Sequence, residues 1–228
     1  MLFSISCMRF SLITSTVNLL ITSLFFVVLP TVAAQSAVAT CDIRNGGFDA
    51  DFMGWETIGR TDIETTNNSK GLPTGNKQAY LDTFSVQTAD IVELAKFLET
   101  NVDRLNSLGE VYEGSAIKTS ITVDVGDTLS FDWNFLTDET PDGDYNNDFA
   151  FFTLSQLGIT KIADTFSTFE PSPRNSTNYL YQTGFHTYTY TFTTSGTYSL
   201  GIGVVDVEDG SFDSGLIIDN VSVVRPPL

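Results

Sequence analysis

The sequence predicts an all-β protein, an antiparallel jelly-roll β-sandwich with one short helical insertion at about residues 90–108. Three observations carry this. Apolar and polar residues alternate with period two through Leu129, Phe131, Trp133 and Phe135 and again through His186, Tyr188, Tyr190 and Phe192. Turn signals such as Asn45-Gly46-Gly47, Gly126-Asp127 and Ser195-Gly196 recur at short spacing. No strand–helix–strand rhythm runs through the chain, so a parallel sheet is excluded and a sandwich remains.

Taken in order, residues 1–34 have the parts of a secretory signal: Arg9, an apolar run from Leu12 to Leu29, Pro30, and the small-residue stretch Val32-Ala33-Ala34. Cleavage is expected after Ala34, leaving a single domain over 35–228. Cys7 leaves with the leader, so Cys41 stands alone and no intrachain disulfide can staple the exported chain. Trp55, after Phe48 and Phe52, reads as core, with a sugar-stacking platform as the alternative. Residues 56–78 are polar and turn-rich, fitting a loop or two short strands, and Ala79-Tyr80-Leu81 reads as a strand.

The helical interval follows from Ile91, Leu94, Ala95 and Leu98 at helical spacing, with Asp90 as cap and Asn101 as breaker. It is expected as a lid over one end of the sandwich. Strands are then expected at 116–125, 128–136 and 148–156, with a mixed region at 157–184. In 185–193 His186 and the aromatics take one face and the threonines the other. Further strands follow through Tyr198, Leu200, Ile202 and Val204 and over 216–224, with Asp219 inside the last.

The formal charge of −17 repels phosphate backbones and anionic bilayers, so nucleic acid and, after leader removal, membrane are excluded as partners. Part of that charge is clustered. Asp138, Glu139, Asp142, Asp144 and Asp148 crowd one loop without Lys or Arg, and Asp206, Glu208, Asp209 and Asp213 crowd a second. Neighbouring carboxylates repel by roughly 1 kcal/mol per close pair even in a water-like dielectric. A hard divalent cation with oxygen ligands, Ca2+, would relieve this, and Glu139, Asp148, Asp206 and Asp213 are the expected ligands if the two loops meet. Asp142, Asp144 and Asn146 begin a calcium-loop pattern, but Asn147 replaces its Gly and Thr153 its closing Glu, which excludes an EF-hand. One His and one remaining Cys exclude the usual zinc sets. His186, in an alternating strand with no nucleophile elbow to serve, reads as a packed or edge histidine.

Asn45-Gly46-Gly47-Phe48-Asp49 with Gly54-Trp55, and the closing Leu216-Ile217-Ile218-Asp219-Asn220-Val221, resemble the first and last strands of jelly-roll carbohydrate-binding modules of the galactose-binding-like kind. The middle, through Phe131-Asp132-Trp133-Asn134-Phe135 and Asn147-Asp148-Phe149-Ala150-Phe151, resembles a module of exported bacterial, notably cyanobacterial, proteins whose activity is generally unassigned. The resemblance implies a structural calcium held with the help of Asp49 and Asp219, where Asp49 replaces the usual Glu and shortens its reach. It supplies no sugar-contacting set.

Two function classes lead. One is a secreted, non-catalytic module binding an extracellular polysaccharide or cell-surface glycan, with Tyr112, Tyr145, Tyr179 and Tyr181 as stacking candidates. The other is a structural or adhesive extracellular protein without a small-molecule site. A carbohydrate-active enzyme comes third, and no catalytic residue is singled out because carboxylates are too abundant to choose among. With no second apolar segment, the mature protein is expected to be released.

Overall fold

The computed structural model describes residues 40–41, 43–65, 77–84, 86–140, 147–167, 170–171 and 179–226. The expected leader, Tyr145 and the start of the calcium-loop pattern at Asp142, Asp144 and Asn146 lie outside the described residues.

The fold is the antiparallel jelly-roll sandwich that the sequence predicts. The first sheet has the order β10 (Glu170–Pro171), β11 (Tyr181–Gln182), β7 (Thr128–Thr137), β14 (Ser214–Val224), β4 (Lys77–Asp82) and β3 (Arg60–Thr65). Here β1 (Thr40–Cys41) also pairs with β14, and β12 (His186–Thr191) with β7. The second sheet runs β2 (Glu56–Ile58), β6 (Val111–Val123), β13 (Gly196–Val207), β8 (Phe149–Leu154) and β9 (Gly158–Asp164), with β5 (Ala89–Asp90) on β6.

Period-two alternation puts Leu129, Phe131, Trp133 and Phe135 of β7 against Ile202, Val204 and Phe152 of the facing sheet in one shared core. Trp55 belongs to that core. It is buried, its ring centroid lies 5.3 Å from that of Phe48, and its Nε1 donates to Asn45 O at 3.3 Å. The edge strand β12 lays Tyr188 over Phe131 at 5.4 Å and His186 over Trp133 at 5.1 Å, with Thr187, Thr189 and Thr191 exposed, as the alternation requires.

The opening turn docks on the last strand. Asn45 takes a left-handed φ of 58°, but neither Gly46 nor Gly47 does, so positive φ is not the reason for the glycine pair. Gly46 is there for room: a Cβ on it would lie 1.8 Å from Val221 O, and its own carbonyl accepts Val221 N at 2.9 Å.

The helical interval is two short helices, α1 (Ile91–Phe97) and α2 (Val102–Asn106). Asp90 forms a reciprocal capping box with Glu93, and Asn101 caps α2 as well as ending the first turn. Their placement corrects the expected lid. Leu94, Leu98 and Leu105 cover the outer face of the second sheet, against Phe149, Phe151, Val205 and Val207, rather than one end of the sandwich. A Cβ on Gly201 would lie 2.5 Å from Leu98 Cδ2, so the bare backbone there admits the helix. This second small core explains why every residue of β8 is buried: Ala150, Phe152 and Leu154 face the first sheet while Phe149 and Phe151 face the helices. The first sheet's outer face has no such cover among the described residues, and it holds the site.

Candidate functional site

In β3 and β4 the apolar residues Ile63, Ala79 and Leu81 point into the core. The alternate positions therefore point out, pairing Arg60 with Asp82, Asp62 with Tyr80 and Glu64 with Gln78. Ile217 of β14 and Leu136 of β7 extend this face, and Tyr179 closes over them beside Tyr80, with a 3.1 Å hydrogen bond between the two hydroxyls. A Cβ on Gly215 would lie 3.0 Å from the Tyr179 ring, so a glycine in β14 lets the ring sit this low.

The result is a cleft of about 430 Å3 with Tyr80 and Tyr179 in its floor and the exposed ring of Phe84 at its rim. Its polar groups are the carboxylates of Asp62, Glu64, Asp82, Asp138 and Asp213 and one guanidinium, Arg60. Arg60 is held in place: its Nε lies 3.4 Å from Asp82 Oδ1, its Nη1 donates to Phe84 O at 2.5 Å, and its Cζ lies 5.6 Å from the Phe84 ring centroid. Burial raises both tyrosine hydroxyls, Tyr80 and Tyr179, above their usual pKa, so they stay neutral. Burial also raises Asp138 and Asp213, and the Asp138 carboxylate adds to the rise at Asp213. Asp138 Oδ1 accepts Leu180 N at 2.9 Å, which ties the segment carrying Tyr179 to the loop after β7.

Behind this cleft the ends of five strands converge. The two acidic loops meet there: Asp138 N donates to Asp213 O at 3.1 Å and Val207 N to Asp148 Oδ1 at 3.0 Å. Glu139, Asp148 and Asp206 are all buried in this knot. Asp148 is fixed at both oxygens, since its Oδ2 accepts Ser214 Oγ at 2.6 Å. Asp206, beside the Asp206/Val207 register shift of β13, is fully buried, and no donor with ordinary geometry reaches either of its oxygens or Glu139 Oε2. Burial pushes Glu139 up to about 7, with the Asp209 carboxylate adding to it. Burial also pushes Asp206 up to about 7, against the approach of the Thr83 hydroxyl and the Asp148 carboxyl and with the help of the Asp213 and Glu113 charges. Asp148 is raised well above its usual range by burial and then by the Asp206 and Glu139 charges. Among the described residues no three Asp, Glu, His or Cys side chains form a ready-made metal shell.

The expected four-acid set therefore divides: Glu139, Asp148 and Asp206 share the knot, while Asp213 lines the cleft. Asp49 and Asp219 sit elsewhere. Asp219 is buried in β14 with Oδ2 unpartnered and is pushed up to about 7 by burial, with Asp132 and then Asp49 contributing; Asp49 itself is exposed.

Of the stacking candidates, Tyr179 lines the cleft as buried floor rather than as an exposed loop platform. Tyr112 is exposed in an adjacent groove that shares Phe84 and Asp213 with the cleft. Tyr181 lies in β11, half-buried, and does not line the cleft. Sequence reasoning passed over Arg60, Asp62, Glu64, Tyr80, Asp82 and Phe84. The alternation Arg60-x-Asp62-x-Glu64 beside Gln78-x-Tyr80-x-Asp82 was the available signal.

No protein-family model matches the chain, and no curated protein matches it. Among solved structures it is similar to the carbohydrate-binding module TmCBM61, solved with β-1,4-galactotriose, at 11% identity over 80% of this chain and 97% of that one, TM-score 0.44. It is similar to the mannan-recognising module TmCBM27 at 15% identity over 83% and 98%, TM-score 0.38. It is also similar to the K1 cleaved adhesin domain of Lys-gingipain from Porphyromonas gingivalis W83 at 11% identity over 77% and 92%, TM-score 0.36.

Proposed function

We propose that this chain is a secreted, non-catalytic binding module that takes a neutral polyhydroxylated ligand, an extracellular polysaccharide or cell-surface glycan, in the cleft on the outer face of the first sheet. The observation that carries the reading is the cleft's composition: an exposed aromatic ring at the rim and five carboxylates with one guanidinium, several of them borne on strands. A pyranose presents C–H groups on its faces and hydroxyl donors around its edge. Phe84 matches the faces, and carboxylate acceptors match the donors. The excess of negative charge disfavours uronate, sulfate or phosphate ligands.

Calcium belongs to the same reading as a structural cofactor, with Asp219 and Asp49 as its holders. The unpartnered Asp219 Oδ2 and the Asp49 charge felt at Asp219 support that fit. When bound, the ion would neutralise the pair and tie the opening turn to β14.

Affinity electrophoresis and calorimetry against neutral and charged polysaccharides test the reading. Saturable binding to a neutral glycan, weakened about tenfold or more by Phe84→Ala, is the expected result. Absence of binding to every neutral glycan would leave the adhesive or structural class in its place, and release of reducing sugar would replace binding by hydrolysis.

A further inference from the structure

Away from the Asp49 and Asp219 pair, Asp206 is a fully buried carboxylate whose two oxygens make no hydrogen bond of ordinary geometry, with only the Thr83 hydroxyl and a second buried acid, Asp148, drawn up against it. Leaving such a group without compensation is among the most destabilising arrangements a fold can hold. Among the described residues no ion pair reaches Asp206, Asp148 or Glu139. What does converge on Asp206 is oxygen, the Asp148 carboxylate and the Thr83 hydroxyl, while Glu139, whose Oε2 is also unpartnered, adjoins Asp148. Asp148 is presented rigidly, because Val207 N and Ser214 Oγ hold it, and each of its oxygens retains a lone pair. Hard oxygens from carboxylate and hydroxyl suit calcium, whose coordination is flexible, better than magnesium, which demands near-octahedral geometry.

We propose that the knot at the ends of β4, β7, β8, β13 and β14 is a divalent-cation site of the calcium class, anchored by Asp206 and Asp148, with Glu139 beside them and the remaining ligands neutral oxygens. Neutral ligands are required because no three acids there form a shell alone. The ion replaces mutual repulsion with a bridge between the two acidic loops. It also fixes the cleft from behind, since Thr83 adjoins Asp82 and Phe84 and Ser214 follows Asp213. This site is independent of the glycan reading.

The test uses thermal melts of the mature chain, without any sugar, in chelator and in calcium or magnesium. Calcium at about a hundred times its dissociation constant is expected to raise Tm by roughly 5–10 °C, and magnesium by less. Asp206→Asn is expected to abolish most of that shift and, by removing an uncompensated charge, to melt higher than wild type in chelator. A residue with a merely structural role would lose stability in both conditions. An Asp219→Asn background removes whatever the Asp49 and Asp219 site contributes, and a calcium shift is expected to remain there. The proposal is overturned if wild type shows no calcium shift, which would make the knot a pair of acids sharing a proton. It is equally overturned if the shift left in the Asp219→Asn background survives the further change Asp206→Asn, or if Asp219→Asn alone removes the whole shift, an arm that stays decisive even where Asp206→Asn does not fold.

Discussion

Substituting alanine for each of two adjacent glycines should give opposite results. In Gly46→Ala the new methyl would begin 1.8 Å from Val221 O, so the turn and β14 must separate by more than an ångström before the contact becomes tolerable. That movement breaks the 2.9 Å bond from Val221 N to Gly46 O. It loses about 1 kcal/mol for the bond and about 1–3 kcal/mol for stranding a buried donor, offset by about 0.4–1 kcal/mol from a less flexible unfolded chain. The net is a loss of about 1–3.5 kcal/mol, or roughly 2–14 °C in Tm. In Gly47→Ala the nearest atom to the methyl is Asp219 Oδ1 at 3.9 Å and the backbone is not left-handed, so stability should be unchanged or rise by up to about 1 kcal/mol. Urea unfolding followed by tryptophan fluorescence reads both, because Trp55 and Trp133 lie in the shared core. Equal losses, or a larger loss at Gly47, would refute close approach as the reason for Gly46.

Other expectations concern charge. Glu139, Asp206 and Asp219 are all raised to about 7 from near 4 in the unfolded chain, so folding favours their protonated forms. The stability they contribute is fully present below about pH 4 and is lost as pH rises through 7. Melts in chelator should therefore fall between pH 5 and pH 8, a decline that calcium should flatten, and a rise in chelator over that interval would contradict the assignment. Arg225 donates to both oxygens of the buried Asp127 at 3.1 and 3.0 Å. Arg225→Ala should cost about 2–4 kcal/mol in urea unfolding, with Arg225→Lys recovering part of it.

The strands that were plain in the sequence are those with one dry and one wet face. β7 alternates as far as Trp133, beyond which both of its faces are buried, and β12 alternates from Thr187 because it lies at an edge. β9 was lost in a mixed region because it is a half-exposed edge strand with only Ala163 fully buried. The helical insertion was legible from its spacing and cap, but not the face it covers. That depends on Gly201, about a hundred residues later, leaving room for Leu98. Tyr179 looked like a loop aromatic because its burial depends on Tyr80, 99 residues away. The meeting of the two acidic loops was anticipated, yet local sequence could not say which acids turn inward. Adjacent Asp138 and Glu139 take different roles, one in the cleft wall and one in the knot.

The position of β14 has a bearing on how the molecule comes to be folded. Strand β14, the last of the described strands in chain order, lies between β7 and β4 and also carries β1, the first of them. Until residue 224 has left the ribosome, the first sheet is two separate halves with exposed edges, and neither the opening turn nor the cleft floor has anything to rest on. Residence in that unzipped state, and whatever protects those edges meanwhile, will govern the yield of functional protein more than the speed of any single hairpin.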